Sequence, residues 1–89
     1  MKTYNFYADA GHGWLEVELQ ELVSLGVASA ISHYSYIKQT ENGIKVYLEE
    51  DCDSQVFHKA MAKSGIEYSV TGFDHGWDSP IRNYKRYGA

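Results

Sequence analysis

Cysteine, proline and long apolar runs are all scarce in this chain. A single cysteine, Cys52, among 89 residues excludes an intramolecular disulfide and a cysteine-ligated zinc finger, and points to a reducing compartment. No stretch approaches the roughly 18 apolar residues of a membrane span, and Met1-Lys2-Thr3-Tyr4-Asn5 holds no apolar signal core. The expectation is a soluble cytoplasmic protein with no membrane partner. One proline and eight glycines beside 44% hydrophobic residues speak against a disordered chain. Positive charge is short too. Eight Lys+Arg against twelve Asp+Glu leave a net charge of −4, which disfavours nucleic acid as a general partner.

What the chain does have is aromatic surface: eight Tyr, three Phe and two Trp. A domain of this length buries only about 60–65% of its unfolded surface, and each enclosed aromatic ring adds on the order of 150–250 Å². One α+β domain over 1–72 is expected, with 73–89 as a loop and tail packed on it or extending from it.

Hydrophobic periodicity sets the elements. Thr3 to Asp9 alternates with period two and reads as a strand, broken by Asp9-Ala10-Gly11-His12-Gly13. Trp14-Leu15-Glu16-Val17 reads as a short extended piece before a helix at 18–25 that stops at Gly26, with a further helical turn at Val27–Ile31. Ser35–Gln39 and Ile44–Leu48 flank Glu41-Asn42-Gly43, a hairpin signal in which Asn-Gly takes positive φ. Val56, Phe57, Ala60 and Met61 form the stripe of a second helix, capped by Asp51 or Asp53 and ended by Gly65. Ile66, Tyr68 and Val70 make the last strand.

The order strand, helix, hairpin, helix, strand predicts a four-stranded antiparallel sheet with two helices on one face. That is the ferredoxin-like β-α-β-β-α-β pattern, with sheet order 4-1-3-2. The alternative is a rearranged α+β sheet with an extra short strand at 14–17.

Three constellations carry candidate chemistry. Glu49-Glu50-Asp51-Cys52-Asp53 is a dense acidic turn at a strand-to-helix junction. Its carboxylates suit a basic partner or a hard cation, but the spacing and central Gly of a calcium loop are missing. His12-Gly13-Trp14 and His75-Gly76-Trp77 repeat, each with an aspartate upstream. In the expected sheet order, Asp74 and His75 share an end with the acidic turn, about 10 Å across it, and His12 lies at the other end. Asp51, Asp53, Asp74 and His75 are therefore the candidates should a metal bind, but no metal site is expected: carboxylates favouring a helix N-terminus and glycines beside packed tryptophans explain these stretches more simply. Tyr7 and Tyr47 fall out of phase with the apolar set and project from the sheet face without helices. They suit stacking on a partner, unless the tail covers them.

Arg82-Asn83-Tyr84-Lys85-Arg86 concentrates basic charge near the end. The partner-binding candidates are thus Tyr7, Tyr47, Glu49, Glu50, Asp51, Arg82, Lys85 and Arg86. A base-stacking ribonucleoprotein signature is absent from Gly43–Glu50, as are a glycine-rich phosphate loop and a nucleophile elbow. No cofactor is expected. Cys52 gains from a helix N-terminus but is opposed by its acidic neighbours, which weighs against a catalytic thiol.

Several stretches together carry a resemblance: Tyr7-Ala8-Asp9 with Gly11-His12-Gly13-Trp14-Leu15, Ile31-Ser32 with Tyr34-Ser35-Tyr36, Val46-Tyr47-Leu48-Glu49-Glu50-Asp51-Cys52-Asp53, and Ile81-Arg82-Asn83-Tyr84. They resemble small proteins of unknown function encoded by bacteriophages and bacterial mobile elements. The likeness spans most of the chain, with Gly72–Pro80 particular to this sequence. It implies a small acidic intracellular accessory protein that contacts a host protein, and it carries over no catalytic residue. A non-enzymatic binding module is the leading expectation; single-stranded nucleic-acid binding and a metal-dependent enzyme at the acidic turn are the alternatives.

Overall fold

Two alternating stretches, separated by a loop that one aspartate shapes, set the architecture. Lys2–Ala8 forms β1 and Gly13–Glu18 forms β2. They pair antiparallel, with Ala8 opposite Gly13. The Asp9 carboxylate accepts the Gly11 and His12 amides, and the Asp9 amide donates to the His12 carbonyl, so the loop closes on itself. The computed structural model describes residues 1–88; Ala89, the last residue of the expected tail, lies outside the described residues.

Tyr36–Thr40 (β3) and Gly43–Glu49 (β4) form the expected hairpin. Its turn is Glu41-Asn42, with Thr40 opposite Gly43. Gly43 has positive φ and Asn42 does not, so the pair of positive φ values expected of Asn-Gly is corrected to one. Helices α1 (Leu19–Ser24) and α2 (Asp53–Lys63) end at Gly26 and Gly65. In both, the glycine amide and the next amide turn back onto carbonyls of the last turn, Val23 and Leu22 in α1, Ala62 and Met61 in α2. The expected turn at 27–31 is a 3-10 turn at Ala28–Ala30.

Tyr68–Asp74 forms β5, parallel to β1 in unbroken register from Lys2–Tyr68 to Ala8–Asp74. The strand passes through Gly72, where the sequence pattern ends it. Lys85–Arg86 adds β6 beside β3. The result is a six-stranded mixed sheet in the order β5-β1-β2-β4-β3-β6. The expected four-stranded antiparallel 4-1-3-2 order is therefore overturned. Its physical cause is β2: a strand hairpinned to β1 occupies the place beside β4 that β1 holds in a ferredoxin-like sheet. The alternative with an additional strand describes this part of the chain.

One sheet face packs on the helices through Tyr4, Leu15, Val17, Leu22, Val46, Leu48, Phe57 and Met61. The other is closed by the C-terminal segment, where a 3-10 turn at Pro80–Asn83 lays Ile81 and Tyr84 against Trp14, Tyr36 and Tyr47. Ser79 starts this turn by accepting the Ile81 amide, with Pro80 in the first position. No helix among the described residues is long and apolar enough to cross a membrane.

Gly13 is the tightest point of the β1–β2 hairpin. A Cβ there would lie 2.3 Å from Cζ of Phe6. Gly13→Ala is therefore expected to cost about 1–3 kcal/mol through overpacking, measured by urea denaturation; an unchanged midpoint would contradict the close Phe6 contact.

Candidate functional site: a groove beside the acidic turn

The inserted strand brings the loop ends together in a new way. β2 runs antiparallel to β4, so Trp14 stands opposite Glu49, and the Glu50 amide donates to the Gly13 carbonyl. His12 thus lies beside the acidic turn, the reverse of the sequence expectation. Asp74 remains at the same end of the sheet, but three strand positions from Glu49, about 14 Å.

The Glu49–Asp53 turn is internally organised. Glu49 is buried, and its Oε1 accepts the Asp51 and Cys52 amides at 3.0 Å each. Asp53 is also buried, inside the first turn of α2. Its carboxylate accepts from the Ser32 amide, the Ser32 hydroxyl and the Ser35 hydroxyl, while the Ser35 hydroxyl in turn accepts the Glu49 amide. The expected helix cap by Asp51 or Asp53 is corrected: Cys52 holds the cap position without a side-chain bond. Asp53 instead ties the 32–35 loop to the helix. Glu50 is half-buried and Asp51 exposed.

The tail supplies the other wall. Asp9 has no exposed side-chain surface. Its two oxygens accept five hydrogen bonds, from the Gly11, His12 and Ser79 amides and from Nε and Nη2 of Arg82. The Arg82 guanidinium holds the Asp9 carboxyl far below the usual carboxylate range, and the three amides add to that against the opposing effect of burial. Arg82 also lies over Trp14, 5.5 Å from the ring centroid. Arg86 lies over Tyr36 at 5.0 Å and donates to the His33 carbonyl.

Between these walls runs a groove of about 490 Å³, lined by His12, Trp14, Tyr34, Tyr36, Glu49, Asp51, Cys52, Arg82 and Arg86. Trp14 and Tyr36 form a buried floor, whereas Tyr34 is 56% exposed at the rim. Cys52 is exposed, but desolvation and the carboxylates of Glu49, Asp53 and Asp51 push its thiol upward. It stays protonated at neutral pH and is a poor nucleophile.

No family model, curated protein or solved structure matches this chain. The functional reading rests on the groove itself.

Of the sequence candidates, Glu49, Asp51, Arg82 and Arg86 meet at the groove, with Glu50 adjoining. Lys85 is exposed on β6 opposite Ile37 and does not line it. Tyr7 and Tyr47 do project from the face without helices, but that face is covered, which corrects their reading as open stacking platforms. Tyr47 is buried beneath Tyr84, 5.3 Å between rings, and burial followed by the Glu16 carboxylate pushes its phenol upward. Tyr7 is half-buried and stacks on Phe73 and His75. The metal candidates are not assembled. Asp53 is engaged by serines, Asp74 accepts the Gly76 amide, and His75 bonds Ser79. Among the described residues no group of three or more His, Cys, Asp or Glu is placed to hold a metal ion.

His12 and Trp14 line the groove although the expected sheet order sets His12 at the other end, and Tyr34, Tyr36 and the Asp9–Arg82 pair are site features that the sequence pattern did not single out. One signal was available: Ser79-Pro80 is a helix-start dipeptide inside a stretch read as loop.

Proposed function

We propose that this chain is a small non-enzymatic binding protein, of the kind carried by bacteriophages and mobile elements, that engages a host protein through the groove and the acidic turn beside it. The observation that carries the reading is the lining. Two guanidiniums lie over buried rings on one side, Glu49 and Asp51 stand on the other, and an exposed tyrosine sits at the rim. Arginine and aromatic side chains are the residues that most often anchor protein interfaces. Charges of both signs held in fixed places favour selectivity for one partner.

The same lining disfavours a nucleic acid. Arg82 is committed to Asp9, and the carboxylates repel phosphates at the groove where a strand would lie. One form of the activity is inhibition, with Glu50 and Asp51 occupying a basic site on a host or defence factor.

Capture from host lysate with three baits tests this: the wild-type chain, Tyr34→Ala and Asp51→Lys. Both substituted residues are exposed, so each variant keeps its stability within about 0.5 kcal/mol. A host protein retained by the wild type is expected to fall by about tenfold or more with either variant, as loss of an interface anchor entails. Equal retention by all three baits would overturn the proposal.

A further inference from the structure

The two edges of the sheet are unlike. At one, β6 is two residues long and carries Lys85 and Arg86, a short charged edge that resists further pairing. At the other, β5 is seven residues long and, among the described residues, pairs only on its inner side, with β1. From Tyr68 to Phe73 it has no charged residue and no proline. Its register with β1 runs without a bulge. The usual devices that protect an edge strand are therefore missing. Apolar side chains are also exposed along it: Val70 at 45%, Phe73 at 46% and, just beyond, Trp77 at 84%.

We propose that β5 is where two copies of this chain pair, antiparallel about a two-fold axis through Thr71, joining their sheets into one. The strand is self-complementary in that arrangement. Only the register centred on Thr71 places all seven residues, Tyr68–Asp74, opposite the same seven in the second copy. Val70 then stands opposite Gly72, where it covers a position without a side chain. Glu67 stands opposite His75 and Asp74 opposite Tyr68, so no carboxylate directly faces another. The axis is perpendicular to the sheet, so the tail-covered faces of both copies lie on the same side.

The groove lies among β2, β4, β3 and β6, on the far side of the sheet from β5. Pairing through β5 leaves both grooves open and gives a dimer with two binding sites on one face. A host protein that is itself repeated or oligomeric would be held by both. The pairing does not depend on the groove reading.

Sedimentation and light scattering of the full chain at about 0.5 mM test it, a concentration that populates even a roughly 100 µM dimer. The expected mass approaches twice the 10.1 kDa of one chain. Val70→Lys, which places a charge at the middle of the exposed edge, is expected to return it to one chain. On concentrating the wild type, amide exchange in Tyr68–Asp74 is expected to slow by about tenfold as the outward amides gain partners. A wild-type chain that stays at 10.1 kDa overturns the proposal, and so does a dimer that folded Val70→Lys leaves intact. If circular dichroism shows Val70→Lys unfolded, the exchange comparison decides: unchanged β5 exchange in a dimeric wild type places the contact elsewhere.

Discussion

Asp9→Ala should detach the C-terminal segment from the sheet. The substitution removes the acceptor for five hydrogen bonds and strands the amides of Gly11, His12 and Ser79 together with the Arg82 guanidinium. Losing a buried, charged acceptor of this kind costs about 2–4 kcal/mol, a large part of the stability of so small a domain. The consequence is local before it is global. Ile81 and Tyr84 leave Trp14 and Tyr47, and the basic wall of the groove goes with them. In a Trp77→Phe background Trp14 is the only indole, so its quenching by acrylamide should rise while urea denaturation reports the lost stability. A variant within about 0.5 kcal/mol of wild type with Trp14 still shielded would mean the clamp is dispensable.

The same carboxylate predicts an acid limb. Its folded-state pKa is depressed, so its contribution is complete above the unfolded value of about 4 and is lost as pH falls below it. Stability of the wild type should drop on acidification through that range. Asp9→Ala should flatten that part of the pH profile.

Asp53→Ala comes next in size. Asp53 is 2% exposed and holds the Ser32 amide, the Ser32 hydroxyl and the Ser35 hydroxyl. Leaving those donors unpaired costs about 2–3 kcal/mol. The 32–35 loop also carries Tyr34 to the groove rim, and Ser35 holds the Glu49 amide. Partner capture should therefore weaken even though Asp53 does not line the groove. Asp53→Asn keeps one acceptor and should lose less on both counts. Chemical denaturation and capture of the three forms side by side check this; wild-type stability and capture in Asp53→Ala would remove the carboxylate from the explanation.

Local pattern made much of the architecture legible. Both helices, their glycine stops and the β3–β4 hairpin are written in short-range spacing, because each depends on residues within a few positions. The sheet order is not. Whether Trp14–Val17 pairs as a strand is decided by β4, some thirty residues away, and by an aspartate that closes the loop before it. Once β2 enters the sheet, His12 changes neighbours and the cluster expected around His75 separates. Alternation likewise told correctly which face Tyr7 and Tyr47 occupy, but nothing in a strand's own residues records what lies on top of it. Ile81 and Tyr84 supply that cover, and the Asp9–Arg82 pair that holds it spans 73 positions. The acidic turn, conspicuous in sequence, is partly a structural device: Glu49 and Asp53 are spent on backbone and serine donors, which leaves Asp51 and Glu50 facing outward.

Photocrosslinking inside the host cell tests most directly whether the groove is the working surface. Benzoylphenylalanine placed at Tyr34, at the groove rim, is compared with the same group at Asn42, in the β3–β4 turn at the opposite end of the sheet. The expected result is a discrete crosslinked host protein from position 34 and none from position 42. Crosslinking to the same protein from both positions, or only from position 42, would contradict the assignment of the groove.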